Sequence, residues 1–393
     1  MTSRIYMDNS ATSFPKPPSV HAAMAHFASA LGASPGRGAY AESREAGRLL
    51  DQCRERINRL VGGEDPRHVI FTLNASDALN LAIRGTLRPG DHVVTTYMEH
   101  NSVLRPLNEL RTRLGIEQTR VACDPKTGLV DPDDVRRALT KKTRLLAVVH
   151  ASNVTGTVQP VTELGRIARE REALFLVDGA QSVGHMPIDV CASFIDLLAF
   201  PGHKGLLGPL GTGALYVRPG VEKELETVRE GGTGSQSELD VQPDFLPDRF
   251  ESGSHNAIGI IGLSEGVAWL LDRGVDKVWK HEQQLTAAML QGLARCGQRL
   301  SLFGPPGLEH RSAVFSVRVA GIDQPQHLSD RLEQEAGILT RPGIHCAPLA
   351  HQTVGTYERG GTTRLSFGPF LSDADVVRAT EALEMIARGA AGA

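Results

Sequence analysis

Short apolar runs alternate with amphipathic stretches over most of the first 260 residues. Strand-length runs fall at His68–Thr72, His92–Thr96, Leu145–Val149, Leu174–Val177, Leu197–Phe200 and Gly213–Val217. Between them, Ala75–Thr86, Val103–Leu114, Pro132–Leu139 and Val161–Arg169 carry helical spacing. Continuous apolar strands separated by helices predict β-α-β units around a largely parallel sheet buried on both faces. After about Gly262 the rhythm changes. Leu263–Leu271 and Asp276–Cys296 read as long helices, the second with Leu285, Met289 and Leu293 on one face. A strand near Ala313–Val319, a helix near Gln326–Glu335, a strand near Thr363–Gly368 and a helix from Asp373 follow, which predicts a smaller α+β unit. The tail from Arg388 to Ala393 is expected to fray.

In an open α/β sheet, ligands bind beyond the carboxyl ends of the strands, so the residues that follow each run matter most. Asp178 ends an apolar run in LFLVDGAQS: it suits a cationic ligand group, or else an N-cap for a helix over Gly179–Val183. Lys204 follows another run and precedes the glycine turns of GLLGPLGTG; partial burial would lower its pKa and make it a nucleophile. Against that stands an ordinary surface lysine. His100 and Asn153 follow two further runs, each a ligand contact or a loop residue shaping its own turn. Ser76 lies at a predicted helix N-terminus, a natural phosphate site or a plain cap. Cys346, in RPGIHCAP, is punctuated by Gly and Pro, which predicts an exposed loop thiol beside His345. Arg364 starts an apolar strand and suits a carboxylate ligand or a surface ion pair.

Composition narrows the partners. Against 42 Lys and Arg stand 45 Asp and Glu, a net charge of −3 that gives no reason to expect nucleic acid. The apolar runs are too short to cross a membrane, and none is expected as a partner. Five widely spaced cysteines, with no C-x-x-C, predict free thiols in a cytoplasmic protein, not disulfides or a metal site. The opening MTSRIYMDNSATS has no apolar core for a signal peptide. The G-x-G-x-x-A match at Gly36–Ala41 follows no predicted strand, which argues against a dinucleotide oxidoreductase. Taken together, a phosphate site, a carboxylate for a ring nitrogen and a reactive lysine form the inventory that pyridoxal phosphate requires, with a carboxylate binder left for the substrate.

The sequence resembles the cysteine desulfurase and selenocysteine lyase family of class V aminotransferase-like enzymes. YMDNSATSFPKPPSV, EHNSVLRPL, HASNVTGTVQP, VDGAQSVGHMPID, FPGHKGLLGPLGTGALYV, RFESGSHNAIGIIGL and RPGIHCAPLAH carry that resemblance, in family order. It implies the fold type I, aspartate aminotransferase-like α/β architecture. A large domain over 16–262 would bind pyridoxal 5'-phosphate, and a small domain over 1–15 and 263–393 would carry the Cys346 loop. By the same resemblance Lys204 holds the cofactor and acts as base. Asp178 pairs with the ring nitrogen, Gln181 bonds the ring hydroxyl, His100 stacks on the ring and Asn153 lies near its substituent. Ser76 and His203 bind phosphate, joined by Ser254 from the second subunit of a homodimer. Arg364 grips the substrate carboxylate, and Cys346 takes sulfur from cysteine as a persulfide for a reductant or a sulfur-acceptor protein. Ala75 and Pro201 stand where many members carry hydroxyl residues. A C–S lyase or selenocysteine lyase that needs no persulfide is the alternative activity.

Overall fold

The computed structural model describes residues 4–36 and 38–390, so Arg37 of the Gly36–Ala41 match and the last three residues of the expected frayed tail lie outside it. Strand β1 (Ile5–Tyr6) opens the chain. Seven strands then form the large sheet: β2 (Val69–Thr72), β3 (His92–Thr96), β4 (Glu117–Val121), β5 (Thr143–Val149), β6 (Leu174–Asp178), β7 (Leu197–Pro201) and β8 (Gly213–Val217). Their spatial order is β2-β8-β7-β6-β5-β3-β4. All neighbours pair in parallel except those of β8, which runs against both β2 and β7.

Every residue of β6, β7 and β8 is buried, which is why these strands read as unbroken apolar runs. Alternate residues serve opposite faces. Val94, Leu146, Val148, Phe175, Val177, Leu198 and Phe200 join one core, while Val93, Leu145, Ala147, Leu174, Leu176 and Leu197 join the other. Helices Ala41–Val61 and Ala257–Arg273 pack across the first face.

A second sheet has the order β12-β13-β10-β9, built from β9 (Leu300–Phe303), β10 (Val314–Val319), β12 (Arg341–Gly343) and β13 (Thr362–Ser366). The remaining strand, β11 (Ile338–Leu339), pairs in parallel with β1. Ile5 and Met7 thereby enter the core formed by Leu285, Met289 and Leu293 of helix Val275–Ala294 and by Phe315 and Leu365. The final helix runs from Asp373 to Ala390.

Several boundaries differ from the sequence reading. His68 ends a short turn at Pro66–His68, so β2 starts one residue later than expected. Helix Ala257–Arg273 starts well before Leu263, because Asn256 caps it by accepting from the Gly259 N–H at 3.1 Å. No helix follows Asp178. Gly184 takes a φ of +89° and packs where an added Cβ would sit 2.4 Å from Gly205, so the segment is a compact turn instead.

Candidate active site

A cleft opens beyond the carboxyl ends of the large sheet. Ser76, His100, Asn153, Asp178, Gln181, His203 and Lys204 all line it. They are supplied by the segments that follow β2, β3, β5, β6 and β7, so strand order assembles the site.

Asp178, the last residue of β6, is 2% exposed. Its Oδ1 accepts the Ala180 N–H at 2.9 Å, the cap foreseen from sequence, but on a turn. Burial raises its pKa, opposed by that N–H and by Lys204. Lys204 keeps part of its surface open to the cleft while protein encloses the rest. Burial, then Arg364, lowers its pKa to about 8, with Asp178 opposing. His100 caps helix Asn101–Leu114 through Nδ1, which accepts the Ser102 N–H at 3.0 Å. Burial, then Lys204, holds the ring neutral with a pKa of about 4. Such a ring presents an uncharged aromatic face.

Ser76 opens helix Ala75–Thr86, but the cap is Asn74, whose side chain accepts the Asp77 N–H at 3.0 Å. The Ser76 hydroxyl instead meets the Ser102 hydroxyl at 2.6 Å. Two helix N-termini and two hydroxyls thus converge on one end of the cleft, a setting for an anion. His203 Nδ1 is buried with no protein partner, a second polar group left for a ligand at the cleft. Gln181 Nε2 donates to the Ser10 carbonyl at 3.0 Å. The donor set, a buried carboxylate, a neutral ring, a lysine of lowered pKa and an anion cradle, fits a flat cationic ring that bears a phosphate and an aldehyde.

Arg364 is not on the surface. It is 1% exposed on β13, donates from Nη2 to Asp8 Oδ1 at 2.7 Å and from Nη1 to the Asn153 carbonyl at 3.2 Å, and keeps Nε buried without a protein partner. Of the two readings of this arginine, a surface ion pair and a ligand contact, the fold provides an ion pair, but a buried one. Cys346 is exposed, on the loop between β12 and the short helix Pro348–Thr353. That loop is tied to the cleft. Asn153 Nδ2 donates to the His345 carbonyl at 2.7 Å, and the Asn101 N–H donates to the Cys346 carbonyl at 2.8 Å. Ser254 stands apart. It lines a separate groove with Arg54, Glu251 and His255, so a single chain does not bring it to the cleft.

The aminotransferase class-V family model matches residues 5–378 of this chain. The chain belongs to the class-V aminotransferase family. The expected α/β fold, with its large, mostly parallel sheet, is the fold of this family. Among its relatives, a probable cysteine desulfurase of Methanothermobacter thermautotrophicus is 36% identical over 98% of this chain and 94% of its own length. A cysteine desulfurase of Haloferax volcanii is 30% identical over 98% of this chain and 89% of its own. The apo structure of the cysteine desulfurase from Thermococcus onnurineus superposes with a TM-score of 0.90 at 33% identity, covering 98% of this chain and 95% of that one.

Sequence reasoning missed the residues that bind the N-terminal segment to this class-V site. Asp8 faces Arg364. The His203 carbonyl accepts from the Ser13 N–H at 2.9 Å and the Thr12 hydroxyl at 3.0 Å, with Lys16 Nζ at 3.4 Å. The available signal was only the family-like string MDNSATSFPKP, which has no periodicity to betray its partners.

Proposed function

We propose that this chain is a pyridoxal phosphate-dependent cysteine desulfurase that moves the sulfur of L-cysteine onto Cys346. The observation that carries the reading is an exposed thiol on a loop whose backbone is fastened by Asn153 and Asn101 to the rim of a cleft holding Lys204 and Asp178. Bound there, the cofactor would supply an electron sink for the pair released at the substrate Cα. Asp178 would face its ring nitrogen, Gln181 its hydroxyl, His100 its ring face, and Ser76 and His203 its phosphate. Ser254, exposed and outside its own chain's cleft, would serve the cleft of a second copy in a homodimer.

Each residue then has a physical task. Arg364 orients the substrate carboxylate, with Asp8 fixing one end of the guanidinium. Lys204, with its lowered pKa, removes the Cα proton at neutral to mildly alkaline pH. The Cys346 thiolate attacks the substrate sulfur. The new S–S bond forms as the Cβ–S bond breaks, and the electron pair goes to Cβ. Cβ takes up a proton to become a methyl group, Cα takes back a proton from the lysine side, and the product is alanine, while Cys346 carries the persulfide. An exposed persulfide is open to a reductant or to a thiol of an acceptor protein, and keeping Cys346 reduced suits a cytoplasmic setting.

The test is Cys346→Ala. It should keep the cofactor absorption change on adding cysteine, because Lys204 and Arg364 are intact, and lose alanine and sulfide production. Mass spectrometry of the wild type after cysteine addition should find one extra sulfur on the Cys346 peptide. Undiminished turnover by the variant, with no persulfide on the wild type, would replace this reading by a C–S lyase.

A further inference from the structure

Behind Cys346 runs a hydrogen-bonded chain that the sulfur chemistry above does not use. His345, His351 and Thr356 are all buried, the last two completely. His345 Nε2 lies 3.0 Å from the Arg341 carbonyl, His345 Nδ1 lies 3.3 Å from His351 Nε2, and His351 Nδ1 lies 2.7 Å from the Thr356 hydroxyl. A carbonyl only accepts, so His345 Nε2 carries a proton. With the ring neutral, Nδ1 has a lone pair and must accept from His351 Nε2–H. His351 Nδ1 then accepts from the Thr356 hydroxyl. One order of donors satisfies every atom in this neutral chain.

Neutrality follows from the surroundings. Burial pushes His351 down to about 4 and His345 well below its ordinary value. Arg364 on β13 pushes both rings in the same direction; at His345 the hydrogen bond to the Arg341 carbonyl opposes this, and the Arg341 guanidinium on β12 adds to it. Adding a proton would reverse the chain's polarity and set a cation against two guanidinium groups.

The chain has something to hold. His345 and Cys346 have φ values of 51° and 58°, in the left-handed region that side chains other than glycine rarely adopt. Such conformations persist only where neighbours over-determine them. Two backbone tethers, from Asn153 and Asn101, fix the carbonyls of these residues. The Ala347 N–H closes the turn onto the Ile344 carbonyl at 3.1 Å, and the His345 ring, clamped between the Arg341 carbonyl and His351, adds a side-chain constraint. The far end is anchored as well: the Thr356 N–H donates to the His351 carbonyl at 2.8 Å, and the Thr356 carbonyl accepts from Gly361 at 3.0 Å, one residue before β13.

We infer that His351 is a positioning residue for sulfur transfer: by donating to His345 it fixes the left-handed backbone that sets Cys346 at the cleft. This rests on the desulfurase reading. The experiment mixes holoenzyme with cysteine, follows the cofactor absorption change, and traps the Cys346 peptide for mass spectrometry over time. His351→Leu should slow persulfide formation by about 100-fold, the scale of a misplaced reacting group, and leave the absorption change intact. His351→Gln, whose amide N–H restores the donor, should recover most of that loss. Thr356→Val, which keeps the volume and removes one hydroxyl, should slow the step by about tenfold, and Thr356→Ser should not. Wild-type persulfide rates in His351→Leu and Thr356→Val, or a glutamine variant as slow as the leucine, would overturn the inference while sparing the desulfurase reading. A wild type that turns over cysteine without sulfur on Cys346 would sink both.

Discussion

The lysine turn and the cysteine loop both store backbone strain, but they are held by different forces. In the lysine turn, Leu207 has a φ of 60° and its N–H donates to the Lys204 carbonyl at 2.9 Å. Its side chain is fully buried in the main core beside Leu206 and Leu263. Packing, which has no direction and does not titrate, keeps that turn in place. At the cysteine loop the strained pair His345 and Cys346 is held by polar contacts, and Cys346 is open to solvent. On the proposed reading, a base needs one fixed place and a sulfur carrier must pass its cargo on; hydrogen bonds can be exchanged with water where a packed leucine cannot be released.

That contrast can be broken or sharpened by experiment. The largest effect belongs to Lys204→Ala, which should reduce cysteine turnover by roughly 10⁴-fold or more and abolish the covalent cofactor band. Normal turnover would remove the base from the lysine turn. In cofactor-free protein, acetylation of Lys204 followed by mass spectrometry should titrate near pH 8. Burial and Arg364 disfavour the ammonium, so the reactive amine appears as pH rises through about 8, well below the ordinary lysine value of 10.5. A midpoint near 10.5 would contradict the enclosure described for it.

Leu207→Ala should cost about 2–5 kcal/mol in denaturant unfolding, because the turn loses its packing anchor. A loss under about 0.5 kcal/mol would mean that packing does not hold this turn. The smallest effect is expected at the cysteine loop. Cys346→Gly should be about 1 kcal/mol more stable than Cys346→Ala, since glycine adopts the left-handed φ without a Cβ clash. Equal stability would show that the loop relaxes out of that conformation in solution.

The sheet was legible because buried parallel strands leave continuous apolar runs, and reading beyond their carboxyl ends led to Asp178, Lys204, His100 and Asn153 together. Edge strand β4, EQTRV, escaped notice because it is polar and mostly half-buried. Helix Ala41–Val61 went unread although Ala46, Leu50, Cys53, Ile57 and Val61 mark its buried stripe at helical spacing. The pairing of Asp8 with Arg364 spans 356 residues, and no local pattern encodes a partner at that distance. The role of Thr356 was hidden for a different reason: a threonine gains meaning only once two histidine tautomers are fixed beside it.

The pairing of β1 with β11 also carries a consequence for biosynthesis. Ile5 and Tyr6 find their register opposite Ile338 and Leu339, and the Met7 carbonyl accepts from Ser366 at 2.8 Å. At about 5–20 residues per second, the ribosome needs roughly 17 to 70 seconds to reach those partners after the first strand emerges. During that interval the strands of the large sheet are completed, the last ending at Val217, while the N-terminal strand waits for its partner. The segment that carries Asp8 to Arg364 is therefore synthesised well before the strands that seat it.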